Sequence, residues 1–178
     1  MTATLHNDRL PAGYNTLNPF VLVTGPGGAA GFIGFLGEVF DGVERESVRT
    51  PDRDGSILHA EVRLGNSSLL LADSKPGWPF TPAFEQIYVE DIPTVLERAE
   101  AAGAEIVTPR SPFYNGLNIA RLLDPWGNLW WIYEPASANH DPAASASADI
   151  SWQDRDPSVV YTTLMDVMSR LGPSTGTR

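Results

Sequence analysis

The sequence predicts an α+β protein made of two tandem copies of one βαβββ unit, followed by a separate C-terminal helix. Three observations carry that reading. The order of apolar runs and helical periodicity in the first half recurs in the second. Turn-forming residues fall between the same elements in both halves, and the composition changes abruptly where the second copy ends.

The first unit opens with the apolar run Leu17–Val23, set between Tyr14-Asn15 and Gly25-Pro26-Gly27-Gly28, which reads as a buried strand. In Ala29–Phe40, Phe32, Leu36 and Phe40 recur along one helical face, and Gly42 stands where a left-handed cap would end the helix. Val43–Thr50, Ser56–Leu64 and Ser67–Ala72 are β-rich and are separated by Pro51-Asp52-Arg53-Asp54-Gly55 and Gly65-Asn66. The second unit repeats the order. Ala83–Val89 is its first strand, and Asp91 caps a helix with Pro93 in the first turn. Ile92, Leu96, Ala99 and Ala102 form the buried face of that helix, and Gly103 closes it. Ala104–Pro109, Leu117–Leu123 and Leu129–Tyr133 complete the strands, with Asp124-Pro125-Trp126-Gly127-Asn128 as the last turn.

The organisation is therefore an N-terminal tail (1–16), a first module (17–73), a connector (74–82), a second module (83–135), a linker (136–156) and a C-terminal helix (157–171). The linker is almost devoid of large apolar side chains. Val160, Leu164, Val167 or Met168, and Leu171 line one side of the last helix. So short a helix is stabilised chiefly by docking, whether on its own domain, on a dimer mate or on another protein.

Composition narrows the function. With 178 residues, 42% hydrophobic and 19% charged, the chain can bury a core. Its net charge of -10 repels phosphate backbones and anionic lipid, so nucleic acid and membrane are not expected partners. The absence of cysteine excludes a disulfide frame, a thiolate nucleophile and Cys-ligated metal. Met1–Leu10 has neither a basic start nor an apolar run, so a cytoplasmic location is expected. No GxSxG, Walker, HExxH or EF-hand pattern occurs. Gly25–Gly31 lies between a strand and a helix, where a dinucleotide fingerprint would lie, but the matching turn Val89–Pro93 has no glycine, so a flexible turn is the better reading.

Phe32–Phe40 resembles the helix of the vicinal oxygen chelate superfamily, the glyoxalase, bleomycin-resistance and extradiol dioxygenase group. His59–Gly65 followed by Leu69–Asp73 is similar to a strand pair of its PhnB-like branch, and Val89–Asp91, Arg98–Glu105 and Asp124–Asn128 resemble further signatures of the group. The resemblance implies that the two modules curl an eight-stranded sheet into a half-barrel around a central cavity, and that the protein is a homodimer. It also implies positions for metal ligands on the first and last strand of each module. Here those positions fall on Asn18 and Phe84, and on Trp131 and a residue near Leu69 or Leu70. One amide oxygen and three apolar side chains do not make a divalent-ion site, so neither a metal nor another cofactor is expected.

What remains for the cavity is an aromatic, ligand-binding lining: Asn18, Phe20, His59, Phe84, Phe113, Tyr114, Arg121 and Trp131, with Trp78 on a lid. By the period of a strand Trp130 and Trp131 face opposite sides, and the resemblance makes Trp131 the inward one. Such rings suit a small aromatic or cationic molecule, held by sequestration as in the antibiotic-resistance branch. Arg63 and Arg121 occupy comparable third-strand positions and are either solvated charges or anchors for a ligand carboxylate or carbonyl. The alternative is an enzyme, a lyase or isomerase or a dioxygenase-like one. There His59 would be the general base, because imidazoles titrate near neutrality, with Glu61 or Arg121 beside it and possibly a recruited divalent metal. His59 and Glu61 share one face of a strand, while His6 and His140 lie off the scaffold. An interaction module working through the last helix is a third reading.

Overall fold

The computed structural model describes residues 10–135 and 156–172. His6, His140 and nearly all of the linker lie outside the described residues. Within them the chain forms two compact units that divide between Pro82 and Ala83.

The first unit is a five-stranded sheet with one helix. Strand β1 (Phe20–Val23) runs parallel to β5 (Ser67–Asp73), and β5 is antiparallel to β4 (Ile57–Leu64). Two short strands, β2 (Val43–Glu44) and β3 (Thr50–Pro51), both pair antiparallel with β4. They are the expected strand Val43–Thr50, broken by a 3-10 turn over Glu46–Val48 that the Arg49–Glu44 ion pair closes at 2.6 and 2.7 Å. β1 starts later than the apolar run because Pro19 has no amide proton to give a ladder. Leu17 is exposed, and Asn18 closes a local loop by accepting from the Asn15 amide and donating to the Asn15 carbonyl.

Helix α1 (Gly28–Phe40) buries Ala29, Phe32, Phe35, Leu36 and Val39, whereas Phe40, expected on that face, is only half-buried because the inward face reaches the helix end at Val39. The left-handed residue at its end is Asp41, φ 54°, rather than Gly42. Gly42 serves close approach instead: a Cβ there would meet the Leu36 carbonyl oxygen and Val62 Cγ1, each at 2.9 Å. At the helix start, one Asp73 carboxylate oxygen accepts from the Ala29 amide and the other from the Ile57 amide, both at 2.7 Å. The glycine-rich turn is thus occupied by the protein's own carboxylate, at the helix terminus where a phosphate would otherwise bind.

The second unit repeats the topology. β6 (Phe84–Tyr88) is parallel to β9 (Leu129–Glu134), and β8 (Asn118–Leu123) and β7 (Glu105–Pro112) follow antiparallel, so β6-β9-β8-β7 mirrors β1-β5-β4-β2. The register makes the duplication residue-specific. Ala60 and Val62 on β4 correspond to Ala120 and Leu122 on β8, all fully buried. Between them Glu61, paired with Leu70, corresponds to Arg121, paired with Trp131. This corrects the expected equivalence of Arg63 with Arg121; Arg63 lies one pleat further along, opposite Ser68.

Helix α2 (Ile92–Ala101) buries Ile92, Val95 and Ala99, while Leu96 and Ala102 are only half-buried because its inward face centres on Val95. The last turn is a hydrogen-bonded knot. The Asp124 carboxylate accepts from the Trp126 and Asn128 amides, from Asn128 Nδ2 and from Trp130 Nε1 at 2.9–3.0 Å. Asn128 Oδ1 in turn accepts from the Ala83 amide at 2.9 Å, tying this turn to the start of β6.

Helix α3 (Val159–Arg170) begins at Ser158, whose hydroxyl accepts from the Tyr161 amide. It buries Val160 and Val167, not Met168, and Val167 packs with Val107 and Leu129, with Leu123, Trp131 and Leu164 around them. Leu123, Leu129 and Trp131 alternate with Leu122, Trp130 and Ile132, so α3 covers the sheet face opposite the one those three fill.

Candidate functional site

The expected site residues fall into two groups, one in each unit. In the first, Phe20, His59 and Glu61 share a sheet face. The His59 and Phe20 ring centroids are 6.2 Å apart, and His59 Nε2 lies 3.0 Å from Glu61 Oε1. Two residues that the sequence reading missed complete this cluster. The Tyr14 hydroxyl donates to Glu61 Oε1, and Arg45 approaches Glu61 Oε2 at 3.5 Å. Burial pushes the Glu61 carboxyl up, but the hydrogen bonds from Tyr14 and His59 and the Arg45 charge outweigh it and hold the group below the usual carboxylate range. The bond to Glu61, with burial, raises the Tyr14 phenol. Beside them lies an open pocket of about 550 Å³ lined by Gly13, Arg45, Glu61, Arg63 and Ser68. Arg63 is engaged there with the carbonyls of Gly13 and Gly65. Trp78, in the connector, is exposed.

The second unit carries the rings. Phe84 meets Trp131 edge to face, centroids 5.8 Å apart, and Arg121 lies over the Trp131 ring at 5.3 Å. Further along the same face Tyr88, Tyr133, Phe113 and Tyr114 follow one another at centroid distances of 5.4, 5.9 and 4.6 Å. The Tyr88 hydroxyl accepts from Gln86 Nε2 at 3.0 Å. Tyr88 and Tyr133 were legible in principle, since they stand at strand period from Phe84 and Trp131. Nothing in the sequence marked Tyr14, which reads as part of a turn. Trp130 and Trp131 do face opposite sides: Trp130 is buried with its indole on Asp124, and Trp131 is on the α3 side.

Arg121 is not a solvated charge. It is 3% exposed, and its NH1 donates to the Val160 carbonyl at 2.7 Å and to the Thr108 hydroxyl at 3.2 Å. The Thr108 hydroxyl is itself 2.7 Å from that of Thr163 on α3. Burial lowers the Arg121 pKa, yet a guanidinium remains charged at neutral pH.

The positions where the family resemblance places metal ligands carry unsuitable groups. The Asn18 amide is engaged with Asn15, Phe84 and Trp131 present rings, and Leu70 is the partner of Glu61. Among the described residues no group of three or more His, Asp or Glu side chains converges on a point. This donor set does not fit a divalent ion.

Two βαβββ units with identical strand order define the glyoxalase-type fold. Residues 25–132 match the family model of the Glyoxalase/Bleomycin resistance protein/Dioxygenase superfamily, and the chain belongs to that superfamily. It is 30% identical over 118 residues to an uncharacterized protein of Mycobacterium bovis, covering 60% of this chain and 76% of that one. Among solved structures, TioX from Micromonospora sp. ML1 matches with TM-score 0.52 and 24% identity over 70% of this chain and 98% of its own. The fosfomycin resistance protein FosX from Listeria monocytogenes matches with TM-score 0.54 and 14% identity over 72% and 97%. The PhnB protein from Bacillus cereus matches with TM-score 0.51 and 19% identity over 68% and 100%. These structures share the fold. No helix among the described residues is long and apolar enough to cross a membrane.

Proposed function

We propose that this chain is a binding protein of the superfamily, one that holds a small aromatic or cationic molecule without metal chemistry. The observation that carries this reading is the ring-lined face of the second unit, where Phe84, Tyr88 and Tyr114 are about half exposed. Aromatic pairs contribute about 0.5–1.5 kcal/mol each beyond burial, and a cation over an exposed ring about 0.5–1 kcal/mol. A few such contacts supply useful affinity, and the charge of -10 favours the approach of cations.

The test is a thermal-shift screen against planar aromatic and quaternary ammonium compounds, followed by titration of the best hit into Trp131→Ala and Phe84→Ala. Each substitution should weaken binding more than tenfold while leaving the protein folded. Unchanged affinity in both variants counts decisively against the assignment. The same reading takes the protein as a homodimer, which sedimentation of the purified chain checks.

The hydrogen-bonded pair of His59 and Glu61 favours a second reading, an acid-base catalyst of the lyase or isomerase type. Stoichiometric metal in untagged protein, or turnover lost in His59→Ala, would favour it over binding alone.

A further inference from the structure

Glu61 and Arg121 occupy equivalent positions in the two modules but not equivalent surroundings. Glu61 has Arg45, His59 and Tyr14 around its carboxylate. Arg121, equally buried, has only neutral acceptors: the Val160 carbonyl and the Thr108 hydroxyl. Its Nε has no hydrogen-bond partner, and no carboxylate pairs with it among the described residues. A buried guanidinium without a counter-charge is costly. The acceptor standing in for that charge belongs to α3.

We propose that α3 is a displaceable lid over an oxyanion subsite formed by Arg121 and Thr108 beside the Trp131 ring. A planar aromatic ligand bearing a carboxylate or phosphate binds there by replacing two groups of α3, the Val160 carbonyl on Arg121 and the Thr163 hydroxyl on Thr108. This rests on the aromatic part of the proposed reading and replaces its cationic part, because the group that meets the ligand here is the Arg121 guanidinium. The face of the Trp131 ring already has a cation over it, so the complement this subsite lacks is an anion. The guanidinium fork matches a carboxylate or phosphate in two-point geometry, which a single carbonyl does not.

The lid is lightly held. Of α3 only Val160 and Val167 are buried and Leu164 is partly so, whereas Val159, Tyr161, Met165 and Met168 are exposed. The ion pair of Arg170 with Glu105 at its far end is exposed and contributes little. Helix and ligand compete for one guanidinium, so apparent affinity is reduced by the fraction of closed protein.

The full-length protein is titrated calorimetrically with naphthoate, naphthyl phosphate and neutral naphthylmethanol, and hydrogen exchange of α3 is followed. Either anion should speed exchange of the α3 amides while the alcohol should not, and the tighter of the two anions identifies the oxyanion. Val167→Asp, which weakens docking of the lid, should tighten naphthoate about tenfold. Arg121→Gln added to it should abolish the gain, and Arg121→Lys, which keeps charge without the fork, should retain part and controls for folding. Charged and neutral probes binding alike, or Val167→Asp freeing α3 with no change in naphthoate affinity, would overturn the lid and leave aromatic binding standing. No binding of any probe to either protein would overturn both.

Discussion

Glu85 gives the chain a pH dependence that runs against the usual one for a carboxylate. It lies on β6 opposite Trp130, on the sheet face that Trp130 and Ile132 fill, and burial pushes its carboxyl up from 4.5 to about 7. The unfolded chain releases this proton first, so between those values the folded protein binds a proton that the unfolded one lacks. Stability therefore falls as pH rises through that window. At 1.36 kcal/mol per pH unit the full difference corresponds to about 3 kcal/mol. Glu85 is only partly buried, and screening by solvent reduces this to about 1–2 kcal/mol. Urea unfolding of the parent and of Glu85→Gln at about pH 5 and about pH 8 separates this group from others that titrate in the range, since they are common to both proteins. The parent should lose about 1–2 kcal/mol more than the variant. Parallel losses in the two would refute the account of Glu85.

Two further substitutions test the joints that hold the modules in shape. Asp124→Ala leaves buried donors on Trp130, Asn128 and the turn backbone without an acceptor, and should cost about 3–5 kcal/mol in chemical unfolding. A loss below about 1 kcal/mol would mean that the turn holds without its carboxylate. Gly28→Ala drives a methyl into the Asp73 carboxylate at φ +57°, and should cost about 2–3 kcal/mol by thermal unfolding from backbone strain and loss of the contact with Ala29.

Much of the fold could be read from the chain because the duplication was written in turns. Gly103, the run Asp124–Asn128 and the periodic faces of both module helices have plain local causes. The structure departs from these patterns once for a tertiary reason and once for a local one. Gly42 has the position of a cap, but what requires a glycine there is the approach of Val62. Val43–Thr50 looked continuous, and an ion pair within the segment interrupts it. The site was less legible. The family resemblance set Phe84 and Trp131 on one face, where their rings meet edge to face, but the burial of Arg121 depends on a helix that the sequence could connect to nothing in particular. Tyr14 reaches Glu61 from a tail that carries no pattern at all.

Asp73 holds two amides that are far apart in the chain with separate oxygens of one side chain. Rotating the carboxylate to release either one releases both. The first turn of α1 and the first residue of β4 are therefore yoked, fraying as a pair, and a disturbance at one is felt at the other with no ligand and no change of backbone path between them.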